Sequence, residues 1–369
     1  MTFIESSKPD NPADLIKILD NISGLDAVDP AEMYKKIYNF PEQLEEAAGI
    51  GKKIKPDPNY FKNIKNIVVA GMGGSAIGGD LVRSFLADRI SIPFAIGRHY
   101  RLPGYVDKNT LVIVSSYSGN TEETLSAFDD AFKRGAMIAC ITTGGKLGDL
   151  ADKHGLLKAT LPTGYAPRAA LGFSFTPLLF LISRLGLVDD VENDIIELIG
   201  GLKALRDTFS IDKKTENNPA KALAAKLYNK VPIIYSGPEL TDAVGTRWKG
   251  QICENAKCLA FNNQFPEFNH NELVGWNVID AYRDKLVVIY LRDSDDHDRI
   301  KKRMSIVSEI IDKLDVEIID IWSQGDFALG RMFSLIQIGD FASFYLAVLN
   351  KIDPTPVKVI DFLKAELER

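Results

Sequence analysis

Two turns rich in glycine and hydroxyl side chains are the first candidates for chemistry. GMGGSAIGGDL begins at Gly71, directly after the apolar run NIVVA. SSYSGNTEET, residues 115–124, joins the apolar run TLVIV to the amphipathic stretch ETLSAFDDAF. Each stands where a buried strand gives way to a helix, so each offers unpaired backbone N–H groups and the positive end of a helix dipole. Such a place favours an anion. Ser75 on the first turn and Ser116, Ser118 and Thr121 on the second add neutral hydroxyl donors. In an open parallel sheet, neighbouring helix N-termini converge outside the carboxyl ends of the strands, so the two turns can clasp one phosphate. A third turn, ITTGGKLGDLA at 141–151, is expected near the same edge.

The first turn also contains G-x-G-x-x-A at Gly71, Gly73 and Ala76, a dinucleotide pattern in a strand–turn–helix context. NAD calls for an acidic residue at the end of the next strand. Here that strand, IPFAIGR, ends at Arg98, which leaves a 2′-phosphate-bearing cofactor open. A tight turn packed closely on its sheet is the plain alternative. Two hydroxyl-bearing turns at one edge favour a phosphate on a small molecule over a dinucleotide.

Titratable candidates lie in the second half, within WKGQICENAKCLAFNNQFPEFNHNELVGW. Glu254 falls late in a helix and His270 in a loop between asparagines. Taken singly, a glutamate on a solvated helix face and a locally bonded loop histidine are the ordinary readings. The four histidines, His99, His154, His270 and His297, show no metal-ligand spacing.

The elements that must position these groups follow from the whole chain. Its 369 residues suit two domains, and 46% hydrophobic with 25% charged residues is a globular composition. A net charge of -6 argues against nucleic acid or an anionic membrane as partner, so any anion must be caught locally. Cys140, Cys253 and Cys258 have no CxxC spacing and fit a reducing, cytoplasmic setting. The polar start MTFIESSKPDNPADL reads as no signal peptide. AALGFSFTPLLFLISRLGLV, residues 169–188, carries Pro177 and Arg184 and reads as a buried helix, not a membrane span.

Residues 1–60 read as helices, with Asn11 capping NPADLIKILDNI and AEMYKKIYNFPEQLEEAAGIG following. Residues 61–192 alternate strand and helix, which predicts a parallel sheet covered on both faces. Residues 193–220 read as a helical linker. Residues 221–369 repeat the alternation through VPIIYSG, CLAFNNQF, DKLVVIYLRD and DVEIIDIWS, then end in two helices. The fold class is α/β, with two doubly wound parallel-sheet domains and helices at both termini.

The paired turns resemble the sugar isomerase (SIS) domain, a five-stranded parallel α/β module that binds phosphosugars. That resemblance implies that Ser75, Ser116, Ser118 and Thr121 hold a sugar phosphate, with the Gly74 backbone close by. ENAK with FNHNELVGW sixteen residues later, YAPRAALG at 165–172 and DPTPVKVIDFLK at 353–364 resemble the bifunctional phosphoglucose/phosphomannose isomerases, which have two SIS domains. By that resemblance Glu254 is the base, His270 opens the sugar ring, Arg168 lies near the reacting carbons, and Lys364 ends the C-terminal IxxLK motif. The implied reaction interconverts aldose and ketose 6-phosphates through a cis-enediolate and needs no metal or redox cofactor. Relatives link tolerance of both epimers to a threonine shortly before the terminal lysine. Ungapped counting puts Val357 there, and a shifted count puts Thr355.

The same resemblance implies a homodimer in which His270 serves the partner's site. The apolar stretches near Phe173–Leu187 and Phe333–Leu349 suit an interface or a core. A sugar-phosphate sensor would share the phosphate turns but adds a basic helix-turn-helix, which this chain lacks. A glucosamine-6-phosphate synthase needs an amidotransferase half, for which there is no room. A non-catalytic sugar-phosphate binder is the remaining alternative.

Overall fold

The structure, a computed structural model, describes residues 11–22 and 25–367. The chain opens with helices α1 (Pro12–Asp20), α2 (Leu25–Val28), α3 (Met33–Tyr38) and α4 (Phe40–Lys52). Asn11 caps α1 as its sequence predicts, its Oδ1 accepting from the Ala13 N–H at 3.0 Å. The helical stretch AEMYKKIYNFPEQLEEAAGIG, residues 31–51, is divided at Asn39 into α3 and α4. Pro41 sits in the first turn of α4, where its missing N–H costs nothing, and it restricts the residue before it.

The first sheet holds β1 (Asn66–Ala70), β2 (Phe94–Gly97), β3 (Thr110–Ser115), β4 (Met137–Thr142) and β5 (Leu157–Thr160). All pairs are parallel, in the order β2-β1-β3-β4-β5. Helices α5 (Gly73–Phe85), α6 (Glu122–Lys133), α7 (Gly145–Lys153) and α8 (Leu171–Arg184) surround it. The strands are β-branched runs because both faces are buried. Alternation then divides the side chains: Ile67 and Val69 face one core, Val68 and Ala70 the other.

Helix α9 (Glu192–Arg206) leads to α10 (Pro219–Leu227) and a second parallel sheet: β6 (Val231–Ser236), β7 (Phe261–Gln264), β8 (Leu286–Arg292) and β9 (Glu317–Trp322), ordered β7-β6-β8-β9. Its helices are α11 (Asp242–Asn255), the short α12 (Glu272–Gly275), α13 (Asp298–Asp312), α14 (Ala328–Leu349) and α15 (Lys358–Leu367). One face of each sheet contributes to a single central core, filled by α4, α5, α8, α9, α10, α11 and α14. Among the described residues α14 is long and apolar enough to cross a membrane, yet it lies buried inside this core. The 169–188 segment is likewise core, as its sequence implies.

Strand order fixes where a ligand can sit. The chain leaves β1 for β2 on one side and returns to β3 on the other, so the switch point lies between β1 and β3. The turns opening α5 and α6 flank that gap.

Gln43 shows how the first helices are tied in. Its buried amide donates to the Ala169 carbonyl and accepts from the Gly172 N–H, both at 2.8 Å. Gln43→Leu should therefore leave two buried backbone groups unpaired and cost about 1–3 kcal/mol. A urea midpoint equal to that of the parent would show the tie to be dispensable.

Candidate active site

At the first switch point the hydroxyls meet. Ser75 follows the start of α5, and its Oγ accepts from the Tyr117 N–H at 3.2 Å. Ser116 Oγ donates to Thr121 Oγ1 at 3.1 Å and accepts from the Gly119 N–H at 3.2 Å. Ser118 Oγ accepts from the Asn120 N–H at 3.3 Å, on an exposed stretch of the turn. Gly119 has φ +71°, and a Cβ there would lie 1.8 Å from the Gly144 carbonyl oxygen, so only glycine fits. The turn after β4 packs directly on this one: Thr143 Oγ1 donates to the Tyr117 carbonyl at 2.8 Å, and the Lys146 N–H to Asn120 Oδ1 at 3.0 Å. Ser116 and Thr121 are thus bonded to each other, Ser75 is bonded to the backbone of the same turn, and Ser118 lies on that turn.

Arg98, which kept a nucleotide phosphate in view, forms an ion pair with Asp80 of α5. Its guanidinium is engaged within the sheet's own framework.

Gly74 joins these turns to the segment that carries Arg168. The turn Pro167–Ala169 crosses the start of α5 so closely that a Cβ on Gly74 would fall 2.6 Å from the Pro167 carbonyl oxygen. Arg168 stands on that turn with only 4% of its surface exposed. Its Nε donates to Asn255 Oδ1 at 2.6 Å, and its Nη2 to the carbonyls of Pro354 at 2.6 Å and Thr355 at 2.9 Å. Its Nη1 reaches Glu254 Oε2 at 3.4 Å. Burial lowers the guanidinium's pKa; the Glu254 charge opposes that shift and the Arg247 charge adds to it. The Glu254 side chain keeps 35% of its surface exposed, so it is held by Arg168 and still open to a substrate.

Sequence reasoning missed the support behind this pair. Arg247, Gln251 and Asn255 recur every four residues on α11 and so share one face. Arg247 bonds Asp340 of α14 through Nε at 3.1 Å and Nη2 at 2.5 Å, and its Nη2 donates to the Arg168 carbonyl at 3.2 Å. Gln251 Nε2 donates to Asp340 Oδ1 at 2.9 Å, and Asn255 Nδ2 to Ser343 Oγ at 2.9 Å. Burial raises the Asp340 pKa against the pull of Arg247. The readable signal was a polar stripe on a helix that otherwise faces the core, with one aspartate in an apolar 22-residue helix.

His270 and Lys364 stand apart. His270 ends the turn Glu267–His270, is exposed, and has no described hydrogen bond to Arg168 or Glu254. Its loop is anchored nonetheless. Tyr235 donates to the Glu272 carboxylate, Trp276 Nε1 donates to the Tyr235 oxygen at 3.0 Å, and Asn263 Nδ2 to Glu272 Oε2 at 2.7 Å. Lys364 lies on α15, none of whose residues is buried.

Residues 60–183 match the SIS domain, and residues 216–367 match the bacterial phospho-glucose isomerase C-terminal SIS domain. A bifunctional phosphoglucose/phosphomannose isomerase of Caldicellulosiruptor bescii is 48% identical over 335 residues, 91% of this chain and 98% of that protein. One from Aquifex aeolicus is 37% identical, over 92% of this chain and 99% of that protein. In fold, the chain is similar to the crystal structure of a hypothetical protein from Thermus thermophilus, with TM-score 0.71 at 14% identity, covering 97% of this chain and 94% of that one.

The Arg247–Asp340 pair generates a test. Asp340→Leu should strand a buried guanidinium and cost about 3–5 kcal/mol, whereas Arg247→Met with Asp340→Leu should recover much of the loss. Urea unfolding of the two single variants and the double variant measures the coupling, and strictly additive losses would show that the two groups act independently.

Proposed function

The chain belongs to the bifunctional phosphoglucose/phosphomannose isomerase family, and on that premise we propose that it interconverts glucose 6-phosphate and mannose 6-phosphate with fructose 6-phosphate at the Arg168–Glu254 site. The supporting observation is the contact of the Arg168 turn with the start of α5, which sets a proton-accepting carboxylate beside an anion cradle. Ser75, Ser116, Ser118 and Thr121, with the amides near Gly74, hold the phosphate as neutral donors at a helix start. Positive charge is then kept for the other end of the sugar.

The reaction begins with ring opening, a proton transfer suited to the imidazole of His270 near neutral pH. Glu254 next takes the proton from C2 of the open aldose, and the electron pair moves onto the C1 carbonyl oxygen, giving a cis-enediolate. The C2 hydroxyl proton passes to the C1 oxygen, and Glu254 returns its proton to C1 as the C2 ketone forms. Negative charge develops on the enediolate oxygens, and the fixed, desolvated guanidinium of Arg168 stabilises it. Glucose and mannose differ at C2, so reversal from the ketose yields either epimer according to the face that Glu254 protonates. We assign epimer tolerance to Thr355 in preference to Val357. The Thr355 carbonyl is bonded to Arg168, and its Oγ1 is buried without a partner among the described residues, available to a sugar hydroxyl.

The active unit in this reading is a homodimer. Helix α15 exposes Val359, Ile360, Phe362, Leu363 and Leu367, while Phe261, Val274 and Val278 are exposed on either side of His270 in sequence. Covering these faces with a second copy brings His270 to the partner's site. Lys364 lies six residues, or about 9 Å of helical rise, beyond the start of α15, which follows closely on Thr355. The three cysteines form no disulfide among the described residues, which suits a cytoplasmic enzyme, and the proposed reaction is one of glycolysis and gluconeogenesis.

Glu254→Gln keeps the shape but removes the base, so turnover should fall by about 10²–10⁴ while sugar-phosphate binding survives. Exchange of the C2 hydrogen with solvent should stop, and exchange at the parent rate would place the base elsewhere. Dimers reassembled from Glu254→Gln and His270→Ala subunits test the arrangement in trans. One site of each hybrid then holds both native groups, so activity should return on mixing. Inactive hybrids would place His270 and Glu254 of one site on the same subunit.

A further inference from the structure

We propose that Lys257 is a positioning residue for this reaction, tying the backbone of Glu254 to the segment that holds Arg168. The proposal rests on the roles of Glu254 and Arg168 given above. Lys257 follows Ala256, the cap of α11, and has φ +56°. A left-handed residue just past a helix end is usually glycine, because a Cβ is disfavoured there. Lysine keeps this place against that preference, and its side chain shows a reason. Its Nζ donates to the Glu254 carbonyl and, at 2.9 Å, to the Pro354 carbonyl.

The first bond alone would be an ordinary helix-end interaction. The second reaches 97 residues along the chain to the oxygen that also accepts from Arg168 Nη2 at 2.6 Å. One carbonyl is therefore gripped by the arginine that faces Glu254 and by a lysine three residues from Glu254. The Pro354–Thr355 segment can shift only if both grips change, and a shift would carry Arg168 and the Thr355 hydroxyl with it.

The charged groups facing the ammonium are Glu254 at the end of its own helix, Arg168 from the first unit and Asp353 from the C-terminal segment. Desolvation, reinforced by the Arg168 charge, pushes the Lys257 pKa down to about 8, while Asp353 and Glu254 pull the other way. The cationic tie is present below that pH and weakens as pH rises through it.

Lys257→Gly separates strain from positioning. It should leave Tm unchanged or raised, leave KM for the sugar phosphate close to the parent value, and lower kcat by about 10- to 100-fold. Lys257→Asn, which tolerates the left-handed backbone but is too short to reach Pro354, should lose kcat likewise. In kcat/KM, which reports the free enzyme, Lys257→Arg should move the basic limb to higher pH, because arginine stays protonated. Parent kcat in the glycine and asparagine variants would overturn the proposal, as would identical basic limbs in the arginine variant and the parent. A base located elsewhere would show instead as C2 exchange surviving in Glu254→Gln, so the two failures are distinguishable.

Discussion

A buried guanidinium is the constraint around which the molecule closes. Arg168 has lost nearly all contact with water, so its N–H groups must find acceptors inside the protein. The acceptors come from separate parts of the chain: a side-chain amide and a carboxylate at the end of α11, and two carbonyls of the 354–355 segment. No single unit supplies that set. Satisfying one arginine therefore fixes how the first sheet, the second sheet and the C-terminal segment meet. The buried Arg247–Asp340 pair behind it, together with the Arg168 carbonyl that Arg247 also grips, keeps the turn from yielding.

In the proposed reaction the arrangement divides recognition from chemistry. The first sheet offers hydroxyls and amides, which would bind the phosphate without adding full positive charge. The second offers a carboxylate that is neither sealed nor loose. Had the anion been caught by lysines or arginines, the strongest field would lie at the remote end of the substrate. With neutral donors there, the proposed mechanism leaves the fixed charge of Arg168 to act where charge changes during the reaction.

Much of this was legible in the sequence, for a physical reason. Strands buried on both faces need continuous β-branched runs, and IVVA, LVIVS and LVVIYL announce themselves as such. The turns are legible because only glycine and hydroxyl residues suit a crowded anion-binding corner. The legible part ends where partners lie far apart in the chain. Asn255 and Arg168 are 87 residues apart, and Arg247 and Asp340 are 93 apart, so no local pattern announces either contact. Lys257 likewise has no marking spacing, because its left-handed backbone and its bond to Pro354 exist only in three dimensions. The break at Asn39 has a local sign in Pro41, which restricts the residue before it and suits the first turn of α4. His270 and Lys364 illustrate a different limit: motif spacing marks a residue, yet one chain does not bring either to Glu254.

Helix α14 also has a consequence in time. It packs on α1 and α3 near the beginning of the chain, on α9 in the middle, and on α10 and α11 beside the second sheet. During synthesis all of those elements emerge before it. Their apolar inner faces must wait for a partner separated from α1 by some three hundred residues, a closure of very high sequence separation. The first sheet can pair its strands early, but its inner face belongs to a core that is not yet filled. Two repeated architectures thus mature as one event, and the growing polypeptide presents a sticky face to the ribosome's surroundings until that event takes place.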